Sequence, residues 1–204
     1  MQTHFIEPLT GDALLIVDVQ NDFLPGGALA VPEGGQVIAP LNRWIEHFYT
    51  AGLPIIATRD WHPADHCSFK GTCENRREED VPWPVHCVAE TKGAAFPPEL
   101  ALPEDAIVIS KGTQPDQEAY SAFQDTVLTT RLHKRGIERL FVGGLATDYC
   151  VQETVLDALR EGFQVFLIQD AVRAVNRHPG DGGRAIRRMR EAGALLVNTR
   201  DLPA

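Results

Sequence analysis

The sequence predicts an α/β fold in which a parallel β-sheet carries helices on both of its faces. Six short apolar runs, rich in β-branched side chains, recur along the 204 residues. Within each run the apolar residues are continuous, which is typical of strands that are buried on both faces. Segments with a helical spacing of apolar residues separate the runs. This alternation favours βαβ units with right-handed crossovers.

The six predicted strands all begin or end near glycine, proline or acidic residues, which punctuate the apolar runs. They cover residues 13–18, 53–58, 106–110, 139–144, 163–170 and 194–198. Four stretches between them repeat apolar residues every three or four positions, as one face of a helix does. These predicted helices cover residues 37–48, 127–136, 151–162 and 186–193.

Two segments are longer than an ordinary connection between a strand and a helix. Residues 19–34 form a loop rich in glycine and proline, and residues 59–105 form a much longer one. Both leave the carboxyl end of a predicted strand, where open α/β sheets bind their ligands. Long loops in compact domains are usually functional. We therefore expect one domain over residues 1–204, with a metal and substrate loop within 59–105.

Composition excludes several classes of partner. The chain has 28 acidic and 19 basic residues, a formal net charge of −9. No basic stripe is available to neutralise phosphates, so we expect neither a nucleic-acid nor a membrane partner. The first 18 residues have no charged leader and no long apolar span. We expect a cytoplasmic protein whose cysteines stay reduced and serve packing, metal binding or catalysis.

Three residues that could form a nucleophilic site stand at the carboxyl ends of predicted strands: Asp18, Lys111 and Cys150. Cys150 lies in GGLATDYCV, and we expect Thr147 or Asp148 to cap the following helix. A helix N-terminus lowers the pKa of a thiol, a carboxylate can accept its proton and an ammonium favours the thiolate. The residues by themselves leave open that Cys150 is a buried, inert thiol at a tight turn.

The long loop contains a second group of chemistry-bearing residues in RDWHPADHCSF and WPVHC. One carboxylate and up to three imidazoles, Asp60, His62, His66 and His86, suit a divalent metal such as Zn, Fe or Mn. Alternatively, these histidines only form hydrogen bonds. A structural zinc site formed by Cys67, Cys73 and Cys87 is a weaker alternative, because their spacing contains no close pair.

Aromatic residues flank both groups and could bind a flat substrate. Phe23 follows Asp18, Trp83 precedes His86, and Tyr120 follows Lys111. Aromatic residues near strand ends are more often part of the core, whereas a ring-shaped ligand would require such walls. The sequence leaves both interpretations open.

In order along the chain, the motifs VDVQNDFLPGGALAV, RDWHP, WPVHC, KG and GGLATDYCV resemble the nicotinamidases of the isochorismatase-like (cysteine hydrolase) superfamily. The resemblance extends from about residue 13 to residue 198. It implies a three-layer α/β/α sandwich around a six-stranded parallel sheet. It also implies that nicotinamide, and pyrazinamide, are hydrolysed through a thioester to the acid and ammonia, a reaction that serves either NAD salvage or nicotinate degradation.

The same resemblance assigns roles to individual residues. Asp18, Lys111 and Cys150 form the triad, and the backbone amides of Ala146 and Cys150 form the oxyanion hole. The bond between Leu145 and Ala146 is implied to be cis. One divalent ion per chain is held by Asp60, His62 and His86, with His66 as a candidate fourth ligand, and the nicotinamide ring is walled by Phe23, Trp83 and Tyr120.

The resemblance leaves the substrate, the assembly and one segment open. A related amidase for N-carbamoylsarcosine or ureidoacrylate would use the same triad without the metal loop. Isochorismatase proper lacks the nucleophilic cysteine, and a non-catalytic scaffold protein would usually have lost a triad member. Relatives range from monomers to larger assemblies, so the resemblance allows a homo-oligomer without requiring one. Residues 69–82, FKGTCENRREEDVP, match no motif of the family.

Overall fold

A computed structural model describes residues 6–72 and 82–203 of the chain. All six predicted strands are present: β1 (Asp12–Val17), β2 (Ile55–Asp60), β3 (Ile107–Lys111), β4 (Arg139–Leu145), β5 (Gln164–Arg173) and β6 (Leu195–Val197). The four predicted helices are present as α1 (Ile38–Thr50), α2 (Leu128–Lys134), α3 (Gln152–Arg160) and α4 (Asp181–Glu191). In the described part of the chain, no helix has the length and apolar character needed to span a membrane.

The strands form one parallel sheet in the order β3-β2-β1-β4-β5-β6. The chain builds outward from β1 in one direction and then, starting with β4, in the other. The order therefore reverses between β1 and β4, where a crevice opens outside the carboxyl ends of the strands. The residues that follow these two strands are Asp18 and the GGLATDYC turn, and they lie at this crevice.

The two faces of the sheet bury separate apolar cores, as the prediction of an α/β/α sandwich requires. Leu14 and Ile16 of β1 point to the face covered by α1, which contributes Leu41, Trp44 and Phe48. Ala13, Leu15 and Val17 point to the opposite face, which is covered by α2, α3 and α4. Full burial of one such large apolar side chain contributes roughly 1.5–3 kcal/mol, so both layers hold the central strands in place.

The prediction that every run is buried on both faces is wrong for the two outer strands. Val108 of β3 is 39% exposed and Leu195 of β6 is 46% exposed. Both strands lie at the edges of the sheet, where the helical layers no longer cover them completely. An apolar run is the same in sequence whether its strand is central or outermost.

The long loop is held to the end of β1 by the buried side chain of Gln20. Its Nε2 donates hydrogen bonds to the carbonyl oxygens of Asp60 and Ala94, at 2.8 and 2.9 Å. Its Oε1 accepts a hydrogen bond from the backbone N–H of Asp60 at 2.8 Å. One side chain thus joins the loops after β1 and β2, which positions Asp60 beside Asp18.

Candidate active site

The structure brings the three residues of the predicted triad together. Asp18 follows β1 in a left-handed conformation (φ 48°), Lys111 ends β3, and Cys150 lies in the turn after β4. Lys111 Nζ is 2.9 Å from Asp18 Oδ2 and 3.4 Å from Cys150 Sγ. A carboxylate oxygen of Asp18 and the sulfur of Cys150 lie within 4.8 Å of each other. All three side chains are buried.

Asp18 has one bonded carboxylate oxygen and one available oxygen. Thr58 Oγ1 donates a hydrogen bond of 2.6 Å to Oδ1. Within residues 6–72 and 82–203, Oδ2 accepts no hydrogen bond of ordinary geometry, although the Lys111 ammonium lies close to it. Burial raises the pKa of Asp18, against the opposing effect of Lys111. The available oxygen is therefore a stronger base than that of a solvated aspartate.

Cys150 is positioned by a π-helical turn, Thr147–Val151, that precedes α3. The prediction that Thr147 or Asp148 caps this helix is wrong: Ala146 occupies the cap position and no side chain caps it. The carboxylate of Asp148 instead accepts hydrogen bonds from the backbone N–H groups of Val175 and Asn176, at 2.9 and 2.8 Å. These bonds anchor the turn to the segment after β5.

The pKa of the Cys150 thiol is raised well above its usual value, which differs from the lowering expected from a helix N-terminus. Burial is the main cause, and the negative charges of Asp18 and Asp60 add to it, while Lys111 opposes the shift. The thiol is therefore neutral before reaction. A neutral thiol requires a base, and Asp18 is the base within reach.

Lys111 joins the triad to the proposed metal ligands. Its ammonium forms a second ion pair with Asp60 and donates a hydrogen bond of 3.0 Å to the carbonyl oxygen of Ala119. Burial alone would lower the pKa of Lys111, but Asp18 and Asp60 raise it well above the usual value. The pKa of Asp60 is correspondingly held well below its usual range, although burial opposes this shift. Lys111 is a permanent cation between two carboxylates.

Asp60, His62 and His86 form a group that fits a metal ion. One ligand atom from each lies within 4.8 Å of the other two, and all three residues are buried. Nδ1 of His62 donates to the carbonyl oxygen of Gly112 at 2.8 Å, and Nδ1 of His86 donates to that of Pro84 at 2.7 Å. In the neutral ring, these bonds place the proton on Nδ1, so that Nε2 is the nitrogen that can coordinate a metal.

His66 lies beside this group but is not one of the residues whose ligand atoms come together. Its ring stacks on His62 with a centroid separation of 4.1 Å. Its Nδ1 accepts from the Ser68 hydroxyl at 2.8 Å, and its Nε2 donates to the Gln117 carbonyl at 2.9 Å. Burial and His62 lower the pKa of His66 to about 4. With both nitrogens engaged, the arrangement does not support His66 as a fourth ligand.

The cysteines of the long loop belong to no metal-type group within the described residues. Cys67 is half-buried and Cys87 is buried, and the clusters of potential ligands among residues 6–72 and 82–203 contain neither. Burial raises the pKa of Cys87 far above the usual value of a thiol. Cys73 and most of the charged segment 69–82 lie outside the described residues.

A cavity extends from Cys150 to the metal-type group, and all three predicted aromatic residues line it. Phe23 lies on one side, and Trp83 and Tyr120 are linked by a 3.1 Å hydrogen bond from Trp83 Nε1 to the Tyr120 hydroxyl. Ala146 and Cys150 also line the cavity. The peptide bond between Leu145 and Ala146 is cis, as the resemblance implies.

Two polar residues of the cavity wall were not among the predicted site residues. Tyr149 contacts the edge of Trp83, with a ring separation of 5.0 Å. Its position next to Cys150 in the sequence was a usable signal. Glu118 also lines the cavity, and burial, together with Asp60, raises its pKa. No local pattern distinguishes Glu118 from the solvated acidic residues around it.

Comparisons with known proteins identify the family to which the chain is similar. The isochorismatase domain family matches residues 12–201. The nicotinamidase of Escherichia coli strain K12 is 43% identical over 205 residues, covering 93% of this chain and 95% of that protein. A Pyrococcus horikoshii pyrazinamidase in complex with zinc superposes with a TM-score of 0.83 at 48% identity, covering 92% of this chain and 99% of that one. PnC1 from L. infantum in complex with nicotinate has a TM-score of 0.83 at 34% identity, covering 96% of both chains.

Proposed function

The chain belongs to the isochorismatase domain family, and on this premise we propose that it hydrolyses nicotinamide to nicotinate and ammonia. The observation that carries the proposal is the position of Lys111, which contacts Asp18 and also Cys150 and Asp60, two residues that line the aromatic cavity. A cysteine nucleophile and a metal-type group thus face the same small space. The similarity to a nicotinamidase and to a zinc-bound pyrazinamidase supports this choice of substrate.

In the first half of the reaction, Cys150 forms a bond to the carboxamide carbon. Asp18 accepts the thiol proton through its available oxygen, and the sulfur attacks the carbon while the carbonyl electron pair moves to oxygen. The backbone amides of Ala146 and Cys150 stabilise this oxyanion, and one such donor contributes about 3 kcal/mol in other enzymes. Lys111 stabilises the negative charge as it moves from the carboxylate to the sulfur.

In the second half, the same carboxylate acts first as an acid and then as a base. Asp18 gives its proton to the amide nitrogen, and the carbon–nitrogen bond breaks. Ammonia departs, and the acyl group remains bound to Cys150 as a thioester. A water molecule then gives a proton to Asp18 as its oxygen attacks the thioester. The carbon–sulfur bond breaks, Cys150 regains its proton, and nicotinate is released.

Asp60, His62 and His86 would hold one divalent ion, and their carboxylate and imidazole donors suit Zn, Fe or Mn. When bound, such an ion would supply a Lewis acid for the pyridine nitrogen, which would orient the ring. Phe23, Trp83 and Tyr120 enclose the ring faces and exclude water. Pyrazinamide keeps a ring nitrogen at the same position and is therefore expected to be a second substrate.

Ammonia release from nicotinamide tests the proposal directly. We expect Cys150→Ala to reduce turnover to the background rate, whereas Cys67→Ala, which removes a half-buried thiol outside the cavity, keeps it. Wild-type turnover in Cys150→Ala would contradict the nucleophile assignment. N-carbamoylsarcosine and ureidoacrylate in the same assay test the alternative amidase activities. Hydrolysis of either one without turnover of nicotinamide would exclude the proposed substrate.

A further inference from the structure

We propose that Glu118 supplies the negative charge that brings the metal centre close to electrical neutrality, and that it thereby sets the affinity of the site for a divalent ion. The inference rests on the metal site of the proposed function. It concerns a residue outside the ligand group of Asp60, His62 and His86, one that acts on the ion through the cavity and not through a bond.

The charges of the buried cluster do not balance a divalent ion without a further carboxylate. Asp18 and Asp60 contribute two negative charges, and Lys111, which pairs with both, contributes one positive charge. A coordinating histidine is neutral, and Cys150 carries its proton at the start of the proposed reaction. The cluster therefore has a net charge of −1, and binding a divalent ion changes it to +1. One more carboxylate facing the ion makes the centre neutral.

The backbone of Glu118 is fixed beside the proposed metal group. It lines the same cavity as the three proposed ligands. The carbonyl oxygen of the preceding Gln117 bonds to His66 Nε2 at 2.9 Å, and that of the following Ala119 bonds to Lys111 Nζ at 3.0 Å. Gln124 Nε2 donates to the carbonyl oxygen of Glu118 itself at 2.8 Å. The backbone on both sides of Glu118 is thus fixed to the site.

The carboxylate of Glu118 forms no ion pair within the described residues, although His62 and Lys111 lie near enough to oppose the rise of its pKa. Its Oε1 accepts one long hydrogen bond, 3.3 Å, from the backbone N–H of Ala119. Across residues 6–72 and 82–203, no lysine, arginine or histidine forms an ion pair with it. A partly buried carboxylate without a partner is unfavourable. A divalent ion in the cavity would be the missing countercharge.

The test is a metal-affinity measurement on the full chain after removal of metal by a chelator. Zn²⁺ is titrated against a chromophoric competitor into the wild type, Glu118→Gln, Glu118→Asp and Asp116→Asn. Asp116→Asn is the matched control, because it removes one charge from the same loop at an exposed position outside the cavity. Outer groups that support a metal typically change its affinity 10- to 100-fold, so we expect roughly this weakening for Glu118→Gln. We expect wild-type affinity for Asp116→Asn and near-wild-type affinity for Glu118→Asp.

The outcomes separate this inference from the proposed function. A wild type that binds no Zn²⁺, Mn²⁺ or Fe²⁺ would overturn the metal site and this inference together. A wild type that binds tightly, with Glu118→Gln equally tight, would overturn the role of Glu118 alone. Equal weakening in Glu118→Gln and Asp116→Asn would show an effect of net charge and would also overturn it. Should Glu118→Gln fail to fold, Glu118→Ala in the same titration decides the question by the same criteria.

Discussion

Gly112 is the position where the structure leaves least room for a side chain next to a proposed metal ligand. The residue follows β3 with φ +60°, and its carbonyl oxygen accepts the hydrogen bond from His62. A Cβ atom at this position would lie 2.7 Å from Nδ1 of His62 and closer still to Cε1. Real Cβ atoms essentially never come within 3.0 Å of such neighbours. Gly112→Ala must therefore displace either the backbone or the imidazole ring.

The ring of His62 cannot move freely to make this room. It stacks on His66 at 4.1 Å and meets the edge of the buried Phe69 at 5.6 Å. A left-handed alanine costs about 1–2 kcal/mol, and overpacking costs typically 1–3 kcal/mol. We therefore expect Gly112→Ala to lower the free energy of unfolding by about 2–5 kcal/mol. Displacement of His62 should also weaken metal binding by roughly 10- to 100-fold.

Equilibrium urea unfolding of the metal-free protein measures the first effect, since bound metal would add its own stabilisation. The matched control is Gly136→Ala: Gly136 has φ +64° and no atom within 4 Å of the added Cβ. It should show only the conformational cost of about 1–2 kcal/mol. Equal destabilisation by Gly112→Ala and Gly136→Ala, with unchanged Zn²⁺ affinity in both, would refute the reasoning from the clash.

Three further predictions concern the triad, the cavity wall and the metal. Lys111→Met leaves the carboxylates of Asp18 and Asp60 buried without a cation, so urea unfolding of the metal-free protein should show a loss of about 3–5 kcal/mol. The double variant Lys111→Met/Asp18→Asn should recover part of this loss, and a single variant as stable as the wild type would contradict the ion-pair assignment. Tyr120→Phe removes the acceptor of the hydrogen bond from Trp83, a loss of about 1 kcal/mol. Steady-state kinetics should therefore show a KM for nicotinamide that is raised roughly fivefold at nearly unchanged kcat. An unchanged KM would show that the bond does not shape the cavity. Removal of metal by a chelator should abolish nicotinamide turnover, and Zn²⁺, Mn²⁺ or Fe²⁺ should restore it. Full turnover in protein shown to be metal-free by elemental analysis would contradict a role of the ion in orienting the ring.

The sheet could be predicted from the sequence because its strands differ from their surroundings over short stretches. ALLIV, for example, is apolar at every position, and both faces of β1 are indeed buried. The places where prediction failed depend on distant parts of the chain. Val108 is exposed because β3 is an edge strand of the sheet formed by the described residues. Asp148 bonds to residues after β5 instead of capping its own turn.

The chemistry of the site could also be predicted only in part from the sequence. Parallel strands place their carboxyl ends at one edge, so the residues after β1, β3 and β4 could be expected to meet. The direction of the pKa shift of Cys150 could not be foreseen, because it follows from burial by loops that are remote in sequence. The same holds for Lys111, whose second carboxylate partner, Asp60, comes from a neighbouring strand.

The sequence alone therefore determined the strands, the helices and the types of reactive group available to this protein. The tertiary structure decided how those groups pair: it engaged both nitrogens of His66, gave Lys111 two carboxylates and placed Glu118 in the cavity wall. The physical reason is the distance along the chain over which each kind of interaction acts. Hydrophobic periodicity and turn chemistry act between residues a few positions apart, whereas charge pairing and desolvation depend on which distant segments the fold brings into contact.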